Sequence, residues 1–117
     1  MKFFCKKEGL NPLIGIAAFD AGYLLAKKDP DFAKRAIPVA DGILALIAKN
    51  GDAGSINGVF QAAVQELVEQ IKDPLVKMNV LAVLQMVEFT IEAPVTLDVP
   101  IIEGLVGNFK SGVAAFK

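Results

Sequence analysis

The side chains able to do chemistry are few, and the most versatile one is missing. The chain of 117 residues has no His. Ser–His and Cys–His nucleophilic pairs are therefore impossible. Zinc sites built on His and the Glu-x-x-His motif of di-iron bundles are absent for the same reason. The hydroxyls are Ser55, Ser111, Thr90, Thr96 and Tyr23. Cys5 is the one cysteine, so no internal disulfide exists. That fits a reducing compartment, and a cytoplasmic location is the expectation.

Carboxylate or Lys chemistry remains open. Asp20 lies amid the apolar stretch Ile14–Leu25. A buried carboxylate must be paired, hydrogen-bonded or protonated, which would make Asp20 a buried polar point or a tuned acid in a dry pocket. The competing and preferred reading turns Asp20 to water on the same side as Lys27. Asp41, Glu88 and Glu103 are further mid-helix carboxylates that would suit a hard cation if they converged. Nothing in their spacing brings them together. In the segment Asn50–Asn57, Gly54 and Ile56 sit at positions six and eight of an EF-hand register. That register puts Lys49, Gly51, Ala53 and Phe60 where side-chain oxygens are required, so calcium binding of that type fails. The same glycine-rich turn matches no phosphate-binding fingerprint. No catalytic residue, metal or cofactor is expected.

Charge removes other partners. There are 12 Lys+Arg and 13 Asp+Glu, and Arg35 is the only arginine. A nucleic-acid interface needs a basic face, so no nucleic acid is expected. Residues Gly9–Ala26 barely reach the length of a membrane span. An Asp at mid-span costs about 2.5–3.5 kcal/mol, and Asn11-Pro12 shortens the apolar run further. Membrane contact is not expected of this segment. Met1–Lys7 mixes Phe3, Phe4, Cys5 and three Lys, which would suit a membrane surface or an acyl chain, but it carries no lipidation motif.

Five helices must position whatever function exists. Asn11-Pro12, Asp29-Pro30 and Asp73-Pro74 each place a capping side chain before a Pro at the first helical position. Asp98-Val99-Pro100 is a looser version, and Ser55 offers a cap to the third helix. The second segment turns Phe32, Ala36, Ile37, Ala40, Ile43, Leu44 and Ile47 inward, with Pro38 expected to kink or interrupt it. The third repeats Ile56, Val59, Phe60, Ala63, Val64, Leu67, Val68 and Ile71, and the last Ile102, Leu105, Val106, Phe109, Val113 and Phe116. The first (Pro12–Lys28) and fourth (Pro74–Ile91) are apolar nearly all round. Lys28-Asp29-Pro30 and Lys72-Asp73-Pro74 also give two helical hairpins a common layout. The fold class is all-α: one domain over residues 1–117, a compact bundle of two helical hairpins plus a C-terminal helix. Residues 1–10 read as a loosely ordered N-terminal segment and 93–100 as a linker to the last helix.

Apolar residues make up 54% of the chain before its 10 Gly are counted. Ordinary soluble domains reach about 45–50% with glycine included. A helix apolar on every side is central or is covered by something else. The expected function is a small non-enzymatic assembly or protein-interaction module that self-associates, with Leu24, Leu81, Leu84 and Phe89 as interface residues. The alternative is a carrier holding an apolar small molecule between helices, lined by Phe, Met and Val. A carboxylate/Lys enzyme using Asp20 is the third reading.

Overall fold

The computed structural model describes residues 12–49, 53–89 and 97–116. The expected N-terminal segment 1–10, the Asn11 cap and residues 93–96 of the linker lie outside them. Among the described residues five helices run in order: α1 (Pro12–Lys28), α2 (Pro30–Ala48), α3 (Ala53–Gln70), α4 (Pro74–Met86) and α5 (Val99–Ala115). The fold is all-α.

The helix starts follow from the capping residues. Asp29 accepts a hydrogen bond from the Phe32 amide at 3.1 Å. Asp73 accepts from the Leu75 and Val76 amides at 2.9 and 3.2 Å. Each bond satisfies a donor that a helix terminus otherwise leaves open. Asp98 makes no such side-chain bond, although Pro100 stands in the first turn of α5. Ser55 is not the cap of α3, because that helix already begins at Ala53. Pro38 does not interrupt α2, which is continuous through it. The missing Pro38 amide costs one backbone bond, while Phe32, Ala33, Ala40 and Ile43 hold both flanks in the core.

The end of α4 departs from the periodicity. Helical spacing predicts continuation to Ile91, but the helix closes at Met86. Glu88 adopts φ of 61°, in the left-handed region. Its amide donates to the Gln85 carbonyl at 2.9 Å, and the Phe89 amide donates to the Leu84 carbonyl at 2.8 Å. These two bonds are the Schellman closure of a helix C-terminus. Its accompanying apolar contact sets Phe89 and Leu84 in the core, and the Phe89 ring meets Phe60 edge-on at 5.7 Å. Burying Phe89 stabilises the fold by about 1.5–3 kcal/mol, which outweighs the roughly 1–2 kcal/mol cost of a left-handed Glu.

The core is centred on α1 and α5. α1 packs against α2, α4 and α5, and α5 packs against α1, α2 and α3. Contact between α1 and α5 is made by backbones: a Cβ at Gly22 would overlap the Phe109 carbonyl, and one at Gly112 would overlap the Phe19 carbonyl. The rings of Tyr23 and Phe116 close one end of this contact edge-on at 5.6 Å. Asn57, buried in α3, donates to the Leu97 carbonyl at 2.7 Å. That bond anchors the approach to α5, so the last helix lies on its own chain. An exposed ion pair between Lys110 and Asp41 adds a link from α5 to α2. No described helix is long and apolar enough to cross a membrane.

Candidate functional site

Side chains from all five helices line a pocket of about 210 Å³ that opens at the surface. Its origin lies in alanines on those helices. Ala18 and Ala21 of α1, Ala36 and Ala40 of α2 and Ala63 of α3 line the wall. At these positions a methyl group stands where a larger side chain would fill the space between helices. Phe32, Ile43, Phe60 and Phe109 form the larger apolar surfaces around them.

Polar groups gather where the cavity meets the surface. Arg35, Glu66 and Gln70 line its mouth. The Arg35 guanidinium stands 5.1 Å from the centre of the Phe32 ring, a cation–π arrangement. Gln70 donates to Glu66 at 3.1 Å along α3. Arg35 and Gln70 also border a shallow outer depression with Asp29, Asp31, Glu69 and Lys72. An apolar lining thus opens past a few charged and polar side chains. Apolar walls with a few placed polar groups are the general form of a small-molecule site.

The residues singled out by sequence fall elsewhere. Asp20 is exposed, so it is no buried polar point. Helical spacing sets it on the outer stripe of α1 with Leu13, Ile16, Tyr23 and Lys27, all exposed. The dry pocket that would have tuned it as an acid therefore does not surround it. Of the expected interface residues, Leu84 and Phe89 are core side chains at 5% and 0% exposure. Leu24 and Leu81 are half-buried against that core. The most exposed large apolar side chains are instead Leu13 and Ile16 on α1 and Leu75 and Met78 on α4. Val59 also faces out, against its expected inward place. Asp41, Glu88 and Glu103 do not converge: Asp41 pairs with Lys110, and no three acidic or Cys side chains form a metal-sized group among the described residues. Segment 53–57 belongs to α3 and forms no ion-binding loop.

Helical spacing turns Ala36, Ala40 and Ala63 inward but carries no sign of the space they leave. Their signal was alanine recurring on faces that otherwise carry Phe, Ile and Val. Phe and Val line the cavity as the carrier alternative expects, but Ala and Leu take the place of Met. Comparison with family models, with curated proteins and with solved structures gives no match.

Proposed function

We propose that this chain is a non-enzymatic binding protein that carries a small apolar molecule in the cavity between its helices. One observation carries the reading: a pocket of about 210 Å³, open at the surface, whose lining is mostly apolar side chains from all five helices. An engineered apolar cavity of about 150 Å³ stays empty of water and takes up benzene. The larger space here suits a single ring or a short alkyl chain. The single cysteine supports a cytoplasmic setting.

The test fills the space from within. Ala40→Leu adds three carbons at the cavity wall, while Ala62→Leu adds them at an exposed position of α3. Titration of the intact protein with benzene, indole and phenylpropanol, followed by NMR shifts of its methyl groups, reads occupancy directly. The expected outcome is saturable shifts at the lining residues, weakened at least tenfold in Ala40→Leu and unchanged in Ala62→Leu. Absence of saturable shifts with all three molecules defeats the reading.

Self-association keeps support from a different surface than the one named by sequence. Leu13 and Met78 are each 68% exposed, Ile16 59% and Leu75 54%. Large side chains this far in water favour burial against a second copy or another protein. Light scattering coupled to size exclusion at micromolar concentration distinguishes a 12.4 kDa monomer from an assembly.

A further inference from the structure

We infer that the molecule held in the pocket is an aromatic ring seated against Phe109, and not a saturated ring or an alkyl chain. The inference rests on the pocket reading above and goes beyond it by naming the class of ligand. Its ground is the set of rings in the lining. Phe32 of α2, Phe60 of α3 and Phe109 of α5 all line the same space. The remaining apolar lining is Ala, Val, Leu and Ile, which accepts aromatic and saturated groups alike.

Two of the three rings already have partners. Phe60 meets the Phe89 ring edge-on at 5.7 Å. Phe32 lies under the Arg35 guanidinium, 5.1 Å from its ring centre. Phe109 differs: among the described residues no other ring meets it. It is only half-buried, yet its place is fixed, because its own carbonyl lies against Gly22 where α1 and α5 touch. An aromatic ring has a negative face and a positive edge, so two rings prefer edge-on or offset contact and gain beyond the area they bury. A ring brought into the pocket supplies Phe109 with the partner that the fold does not. A saturated guest gains from burial alone.

Two ligands of the same outline separate these cases: phenylpropanol and cyclohexylpropanol, titrated into the intact protein by calorimetry. Cyclohexyl is the larger apolar group, so burial alone favours it. The expected order is the reverse, with phenylpropanol binding at least about threefold more tightly. Phe109→Leu keeps an apolar side chain but removes the ring. It should abolish that lead while the affinity for cyclohexylpropanol stays within about twofold of the parent's. Phe116→Leu removes a ring outside the pocket and should keep the lead. In the parent protein, NMR should also show proximity between the phenyl protons of the ligand and the Phe109 ring. Cyclohexylpropanol binding as tightly as phenylpropanol overturns the aromatic inference and leaves the pocket reading intact. A lead unchanged in Phe109→Leu, or phenyl protons remote from Phe109, overturns it as well. Failure of both ligands to bind the parent overturns the pocket reading itself.

Discussion

At the scale of single residues, the most informative positions are those that local rules would not choose. Glu88 closes α4 with a positive φ of 61°. Glycine adopts that conformation without a Cβ penalty. Glu88→Gly should therefore raise stability by about 0.5–1 kcal/mol, less than the full strain because the unfolded chain also gains freedom. A shift of the urea midpoint at constant slope would show it, and a fall in stability would mean that the turn is not held as described. Glycines elsewhere divide sharply by surroundings. Gly22 and Gly112 touch backbone across the α1–α5 contact, while a Cβ at Gly42 would meet nothing within 4 Å. Gly112→Ala should cost about 2–3 kcal/mol by forcing the helices apart. Gly42→Ala, in a helix interior with open space, should instead stabilise by about 0.5–1 kcal/mol. Opposite signs in thermal melts for the same chemical change would locate the tight contact.

At the scale of elements, start signals were legible and one stop signal was not. Asp29-Pro30 and Asp73-Pro74 are local in their physics: the side chain bonds amides two or three residues on. Such a cap can be read without knowing the fold. Asp73→Ala should cost about 1 kcal/mol, with a similar loss for Asp29→Ala, measurable by chemical denaturation. The close of α4 is different, because its hydrogen bonds exist to deliver Phe89 to Phe60, a partner on another helix. Nothing between Leu84 and Ile91 except tertiary burial distinguishes that stop from another helical turn. Similarly, an all-round apolar α4 could not reveal which side lacked cover. Its inner face is Val76, Val80, Val83, Leu84 and Val87, and the side left to water includes Leu75 and Met78. The helix pattern was sound, but the direction of the core is a property of neighbours.

At the scale of the whole molecule, the surplus of apolar residues has two destinations. Part surrounds a cavity and part remains outside. The cavity was illegible because it is an absence: it depends on five alanine-bearing or apolar faces meeting at one centre, and only three of those alanines stood on stripes that sequence could orient. The outward part makes a second prediction possible. Ile16→Asp changes an exposed site and should leave the unfolding free energy within about 0.5 kcal/mol of the parent. If copies associate through α1, it should also reduce the mass seen in light scattering. Leu84→Asp places an unpaired carboxylate in the core and should cost more than about 4 kcal/mol, observed as loss of a cooperative thermal transition. Equal stability of the two variants would contradict the assignment of Leu84 to the interior.

The backbone contact between α1 and α5 has a consequence in time. A chain is synthesised from its N-terminus, so the groove around Gly22 emerges long before Gly112 can enter it. Through that interval α1 presents Phe19 and its small-residue surface with its principal partner not yet made. Most helical bundles assemble quickly from neighbours in sequence, but here the two central helices come from opposite halves of the chain. The final docking of α5 is then the step that completes the core. Until it occurs, the nascent protein offers chaperones a sticky intermediate rather than a finished domain.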